Sequence, residues 1–137
     1  MAKEVLKNAY VSINSVVLSD HVRSLTLPLS AAEIDKTCMG DDSVARITGL
    51  KDARISVTFA QDFDASEVDV TLWGVYNTGT AVAIIVRPSA GDIGIANPSY
   101  TFNAILTEYP PIDGAVGDLH EITAEFMADG DVTRATS

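Results

Sequence analysis

The feature that most constrains this chain is a strict two-residue alternation of apolar and polar positions, repeated along its length. Ile55, Val57, Phe59 and Phe63 fall on one parity, with Ser56, Thr58, Ala60 and Asp62 on the other. Tyr100, Phe102, Ala104 and Leu106 alternate with Thr101, Asn103, Ile105 and Thr107, and Ile122, Ala124, Phe126 and Ala128 with Glu121, Thr123, Glu125 and Met127. Successive strand residues point to opposite faces, so such runs read as strands with one dry and one wet face. "AVAIIVRP", Ala81 to Pro88, is apolar on both parities. It reads as a central strand covered on both faces and ended by its proline. "YVSINSVVLS" and "VRSLTLPL" read as weaker strands around a turn at Asp20-His21. The fold class expected is mainly β, an antiparallel β-sandwich or partial barrel.

One α-helix is expected over about 64–78, in "DASEVDVTLWGVYNTG". Asp64 can cap its amino end while Glu67, three residues on, completes a capping box. Val68, Leu72, Val75 and Tyr76 then share a face bordered by Trp73, and Gly79 suits the left-handed position that ends a helix. Gly74 and the β-branched residues lower the propensity, so packing on a sheet must hold it. Between Leu29 and Val44 the alternation fails, and residues 30–44 read as a long loop, of a kind that in compact domains is usually functional or disordered. Residues 1–8 and 129–137 read as polar terminal arms. No internal repeat is visible.

A chain of 137 residues fits a single domain, and its 47% apolar content permits a core without disulfides or metal. The 19 acids outnumber 9 bases, for a net charge of −10, which disfavours binding to phosphate backbones. Copies of so acidic a chain repel, and any self-assembly must overcome that with shape and apolar contact. The single cysteine, Cys38, can form no internal disulfide. The charged amino terminus does not read as a secretion signal, and the longest apolar run, Ala81 to Val86, is too short to span a membrane. Synthesis in the cytosol is expected.

The residue types of covalent chemistry are scarce. His21 and His120 are 99 positions apart, and His120 is in phase with Ile122, Ala124 and Phe126, as a packed strand-end imidazole would be. No zinc-ligand spacing includes Cys38. "DFD" at 62–64 and "DGD" at 129–131 are rich in oxygen donors, but neither extends into a calcium loop; turns and helix capping account for them better than a weak cation site. "AGDIGIA" precedes a strand and has no lysine, so it is no phosphate cradle. Glu121 and Glu125 share a strand face, which fits a solvated acidic stripe better than a catalytic carboxylate pair. No catalytic, cofactor-binding or metal-ligating residue is assigned, and no enzyme activity is expected.

What remains is a compact β core with long, non-convergent polar segments, the profile of a subunit that hooks onto its neighbours. In layout and phrase the chain resembles the tail tube (major tail) proteins of long-tailed bacteriophages. The residues that carry this are "NPSYTFNAILTEY", Asn97 to Tyr109, "GAVGDLHEITAEF", Gly114 to Phe126, and "GDVTR", Gly130 to Arg134. The resemblance implies a homo-oligomer of six-membered rings stacked into a hollow tube, a virion structural protein assembled in the bacterial cytoplasm. It also implies other tail proteins at the tube ends and viral DNA passing through without specific binding. Asp35, Lys36, Thr37, Cys38, Met39, Gly40, Asp41 and Asp42 resemble the family's stacking loop, and Arg134 belongs to an arm making further contacts. Related injection machines and tail terminators use a similar subunit, and a ligand-binding β-sandwich, such as a carbohydrate-binding module, is the alternative from another class. A conduit for DNA must not hold it, so Asp62, Glu108, Glu121 and Glu125 are candidates for the bore, where carboxylates repel phosphate. The competing reading is that they face outer solvent.

Overall fold

The computed structural model describes residues 9–65 and 67–136; the arm expected over 1–8 lies outside the described residues. In chain order the elements are β1 (Tyr10–Ile13), β2 (Val16–Val17), a 3-10 turn (Ser19–His21), β3 (Val22–Thr26), β4 (Leu29–Asp35), β5 (Arg46–Ala60), α1 (Val68–Thr78), β6 (Val82–Arg87), β7 (Ser99–Glu108), β8 (Glu121–Ala128) and β9 (Thr133–Ala135). The strands form one antiparallel sheet in the order β2-β1-β6-β7-β8-β5-β3, with β4 added to β5 and β9 to β7. The sheet curls into an open half-barrel, the partial-barrel form of the expected class.

The alternation places the core. Ile55, Val57 and Phe59 of β5, Phe102 and Ala104 of β7, Ile122, Ala124 and Phe126 of β8, Ile84 and Val86 of β6, and Val11 and Ile13 of β1 are buried on one face. Helix α1 lies on that face through Val68, Leu72 and Val75. Burying such a side chain contributes about 1.5–3 kcal/mol, and the low helix propensity is offset in this way. Gly79 ends the helix at φ +67°, where a Cβ would be strained, and its N–H closes the last turn on Val75 O at 3.1 Å.

Several expectations need correction. The helix begins at Val68, and the capping box does not form: Glu67 is the N-cap residue without a side-chain capping bond, because its carboxylate is engaged with His21. Tyr76 and Trp73 face outward, both about half exposed, with their rings 5.6 Å apart. Strand β6 is central, but its second face is open, Ala83 exposed and Ile85 half-buried, and Phe63 lies beyond the end of β5 and is exposed. The turn at Asp20-His21 is present as the 3-10 turn Ser19–His21, and an earlier reversal at Asn14-Ser15, both with positive φ, folds β2 back on β1. β1 and β3 then sit near opposite ends of the sheet.

The segment 30–44 is not all loop. β4 pairs with the first half of β5 in a hairpin from Leu29↔Ala53 to Asp35↔Arg46, and all seven residues of β4 are exposed. The C-terminal segment is not wholly free either: Asp129 N–H donates to Asn103 O at 2.7 Å, and β9 pairs with the start of β7.

Candidate assembly surfaces

Among the described residues, three surfaces stand out: the polar face of the sheet, and the uncovered apolar sides of the β4–β5 hairpin and of α1.

Strand register builds the wet face. Ser56 is opposite Glu125, Thr58 opposite Thr123 and Ala60 opposite Glu121. The hydroxyls of Thr58 and Thr123 are 3.0 Å apart, Ser56 Oγ donates to Glu125 Oε1 at 3.3 Å, and Thr107 Oγ1 donates to Glu125 O at 3.0 Å. Simple alternation puts Glu108 in phase with the core residue Leu106. A register shift between Leu106 and Glu108 instead sets Glu108 opposite Glu125. Two carboxylates at facing positions cost some stability. Glu121 is matched by Arg23, its Nε 2.8 Å from Glu121 Oε1. Of the four acids proposed for a bore, three therefore share this face. Asp62 does not: it follows β5, with Oδ2 3.7 Å from His21 Nε2.

The hairpin carries a different pattern on each side. One side bears an ion pair between Glu33 and Arg46. The other brings Ala32, Ile34, Ile47 and Gly49 together: Ile34 is opposite Ile47, and a Cβ on Gly49 would stand 2.9 Å from Ile34 Cδ1 and 3.1 Å from Ala32 Cβ. Ile34 and Ile47 are 50% and 52% exposed and Leu50 88%, so this apolar side is uncovered. Beyond the pair the tip is closed by its own polar groups. Lys36 N–H and Thr37 Oγ1 both bond Ala45 O, Ala45 N–H donates to Thr37 Oγ1 at 2.7 Å, and Cys38 N–H donates to Asp41 Oδ2 at 2.8 Å. The Thr37 backbone N–H, and then its hydroxyl, hold the Asp35 carboxyl below its usual pKa. Gly40 turns the chain at φ +93°, and Met39 stands fully in solvent. The structure thus brings Asp35 to Asp42 into one defined tip, an ordered structure on an exposed stem.

Arg134 lies elsewhere, on β9 opposite Tyr100. With Leu29, Lys51, Asp52 and Val132 it lines a cleft of about 780 Å³ at the foot of the hairpin. On α1, Val70, Trp73 and Tyr76 leave the outer side apolar as well as the inner.

Sequence reasoning missed Ile34, Ile47 and Leu50, because a two-stranded projection with no core beneath it shows no alternation. Arg23 was missed as a partner of Glu121 because ion pairing across the sheet leaves no local pattern.

No family model matches the sequence, and no curated protein matches it either. Solved structures do. The chain is similar to a subunit in the tail of an empty gene transfer agent particle with C6 symmetry, at TM-score 0.78 and 13% identity, covering 98% of this chain and 100% of that one. It is similar to a subunit of the native gene transfer agent virion at TM-score 0.77 and 14% identity, over 97% and 99% of the two chains. It is also similar to the SPP1 tail tube protein at TM-score 0.74 and 11% identity, over 95% of this chain and 77% of that one. At such low identity the likeness lies in the fold, and the fold is that of tail tube subunits over nearly the whole chain.

Proposed function

We propose that this protein is the tube subunit of a long-tailed virus. Six copies close into a ring, rings stack through the β4–β5 hairpin, and viral DNA passes along the bore without being bound. The observation that carries this reading is the end-to-end likeness of the fold to tail tube subunits, among them one from a tail with C6 symmetry.

The surfaces fit that role. A half-barrel is an unfinished barrel, and its end strands, β3 and the β1–β2 hairpin, leave edges that a head-to-tail neighbour can complete. The wet face offers hydroxyls and carboxylates, which repel phosphate and release no counterions to it. The apolar sides of the hairpin and of α1 supply the contact that must overcome the repulsion of subunits at −10 each. The tip at 35–42 reaches the adjacent ring, and Arg134 on the arm 129–137 contacts a neighbour. Other tail proteins bind the tube ends, and the subunit acts in the virion after assembly in the host cytoplasm. The role is structural and not catalytic.

Concentrating the purified protein and imaging it by negative stain tests this. Rings and hollow filaments are expected; solitary particles at every concentration would overturn it.

A further inference from the structure

Three separate segments deliver side chains to one point beside the start of α1. His21 comes from the 3-10 turn, Asp62 from the chain after β5, and Glu67 is the N-cap of the helix. His21 Nε2 hydrogen-bonds Glu67 Oε2, while Asp62 Oδ2 and Asp20 Oδ1 each stand 3.7 Å from the same nitrogen. The donor atoms of His21, Asp62 and Glu67 all lie within 4.8 Å of one another. One ring nitrogen donates at most one proton, so it serves one carboxylate at a time. Even a fully protonated ring leaves three negative groups facing a single positive one.

The cluster is also braced. Asp62 Oδ1 accepts the Asp64 N–H at 2.9 Å, which fixes the carboxylate and leaves Oδ2, the oxygen nearer the imidazole, without that bond. The Asp62 N–H donates to Gln61 Oε1 at 3.0 Å, and the Asp62 carbonyl accepts the Asp69 N–H at 3.0 Å. Orienting bonds of this kind behind a donor atom are how proteins hold ligands for a metal. The His21 side chain is 15% exposed and that of Glu67 35%, so the site is sheltered but reachable. Glu67, meanwhile, gives up the capping bond that its position would allow.

We propose that His21, Asp62 and Glu67 bind a first-row divalent cation, Zn²⁺ before Mn²⁺. One imidazole with carboxylates suits these ions better than the all-oxygen preference of Ca²⁺. In a tetrahedral shell with bonds of about 2.0–2.2 Å, donor atoms stand about 3.3–3.6 Å apart; the 3.7 Å from Asp62 to the imidazole is close to this, and the shorter His21–Glu67 hydrogen bond opens to admit the ion. The ion ties the 3-10 turn, the end of β5 and the start of α1 together, at the helix end that lacks a side-chain cap. The site is independent of the tube reading.

The test uses the full chain, freed of metal with chelator and titrated with Zn²⁺, Mn²⁺ and Ca²⁺ by calorimetry, with ion content and melting temperature measured in parallel. One Zn²⁺ per chain is expected, with a rise in melting temperature of about 10 °C at a hundredfold excess over Kd. His21→Gln and Asp62→Asn should each weaken Zn²⁺ binding at least about tenfold while melting normally in chelator. His120→Gln should bind as the parent does. Absence of saturable Zn²⁺ or Mn²⁺ uptake, tighter binding of Ca²⁺, or an affinity unchanged in both ligand variants would overturn the site.

Discussion

Replacing Ile34 and Ile47 together with threonine should uncouple ring formation from ring stacking. Both side chains are about half exposed, opposite one another on the uncovered side of the hairpin. Threonine keeps the β-branch that favours a strand, so the hairpin should persist. Fully burying an isoleucine is worth about 1.5–3 kcal/mol, so covering the exposed half of each contributes about 1 kcal/mol, or about 2 kcal/mol per hairpin. Six hairpins per junction, as in a tail with C6 symmetry, bring this to about 12 kcal/mol, some nine decades in a ring-to-ring association constant. The fold itself should lose no more than about 0.5 kcal/mol, since neither residue contributes to the core. Sedimentation velocity with negative stain reads the outcome: rings or small oligomers where the parent gives filaments, at an unchanged melting temperature. Filaments of parental length at the parental critical concentration would refute the stacking role of the hairpin.

Other perturbations reach other parts of the account. Glu125→Lys on the wet face should leave tubes intact but slow genome passage, and normal infectivity of such particles would place this residue outside the bore; Glu121→Lys should behave similarly but also loses its bridge to Arg23. Phe126→Ala, at the centre of β8 and fully buried, should cost about 3–5 kcal/mol in urea denaturation of the unassembled subunit. Burial, and then its donated bond to Asp69 at 2.6 Å, push the Tyr109 phenol up to about 12. The folded state therefore holds that proton more tightly than the unfolded one, and the linked stability is present below pH 10 and is lost as pH rises from about 10 to about 12. Tyr109→Phe should remove that alkaline dependence and lower stability by about 1–2 kcal/mol at neutral pH.

Much of the fold was legible in the sequence because most strands lie on a core. The parity of Ile55, Val57 and Phe59, of Phe102 and Ala104, and of Ile122, Ala124 and Phe126 assigns the buried face correctly, since one wet face imposes alternation. Gly79 was legible because the left-handed turn it occupies admits few residues. β4 was not legible: all its side chains are exposed, so no core constrains which positions are apolar. The same holds for Trp73 and Tyr76, which are about half exposed and pack on each other away from the core. The capping box failed for another reason. Glu67 has a competing partner in His21, 46 residues earlier, and no local pattern reports such a contact. Glu108 could be aligned with Glu125 only once the bulge before it was visible.

The most direct measurement is a helical reconstruction of the assembled filament by cryo-electron microscopy. Six subunits per ring are expected, with the Ser56, Thr123 and Glu125 face of the sheet lining an open bore and the β4–β5 hairpin seated on the next ring. A different ring number, a bore lined by α1, or hairpins pointing free into solvent would contradict this.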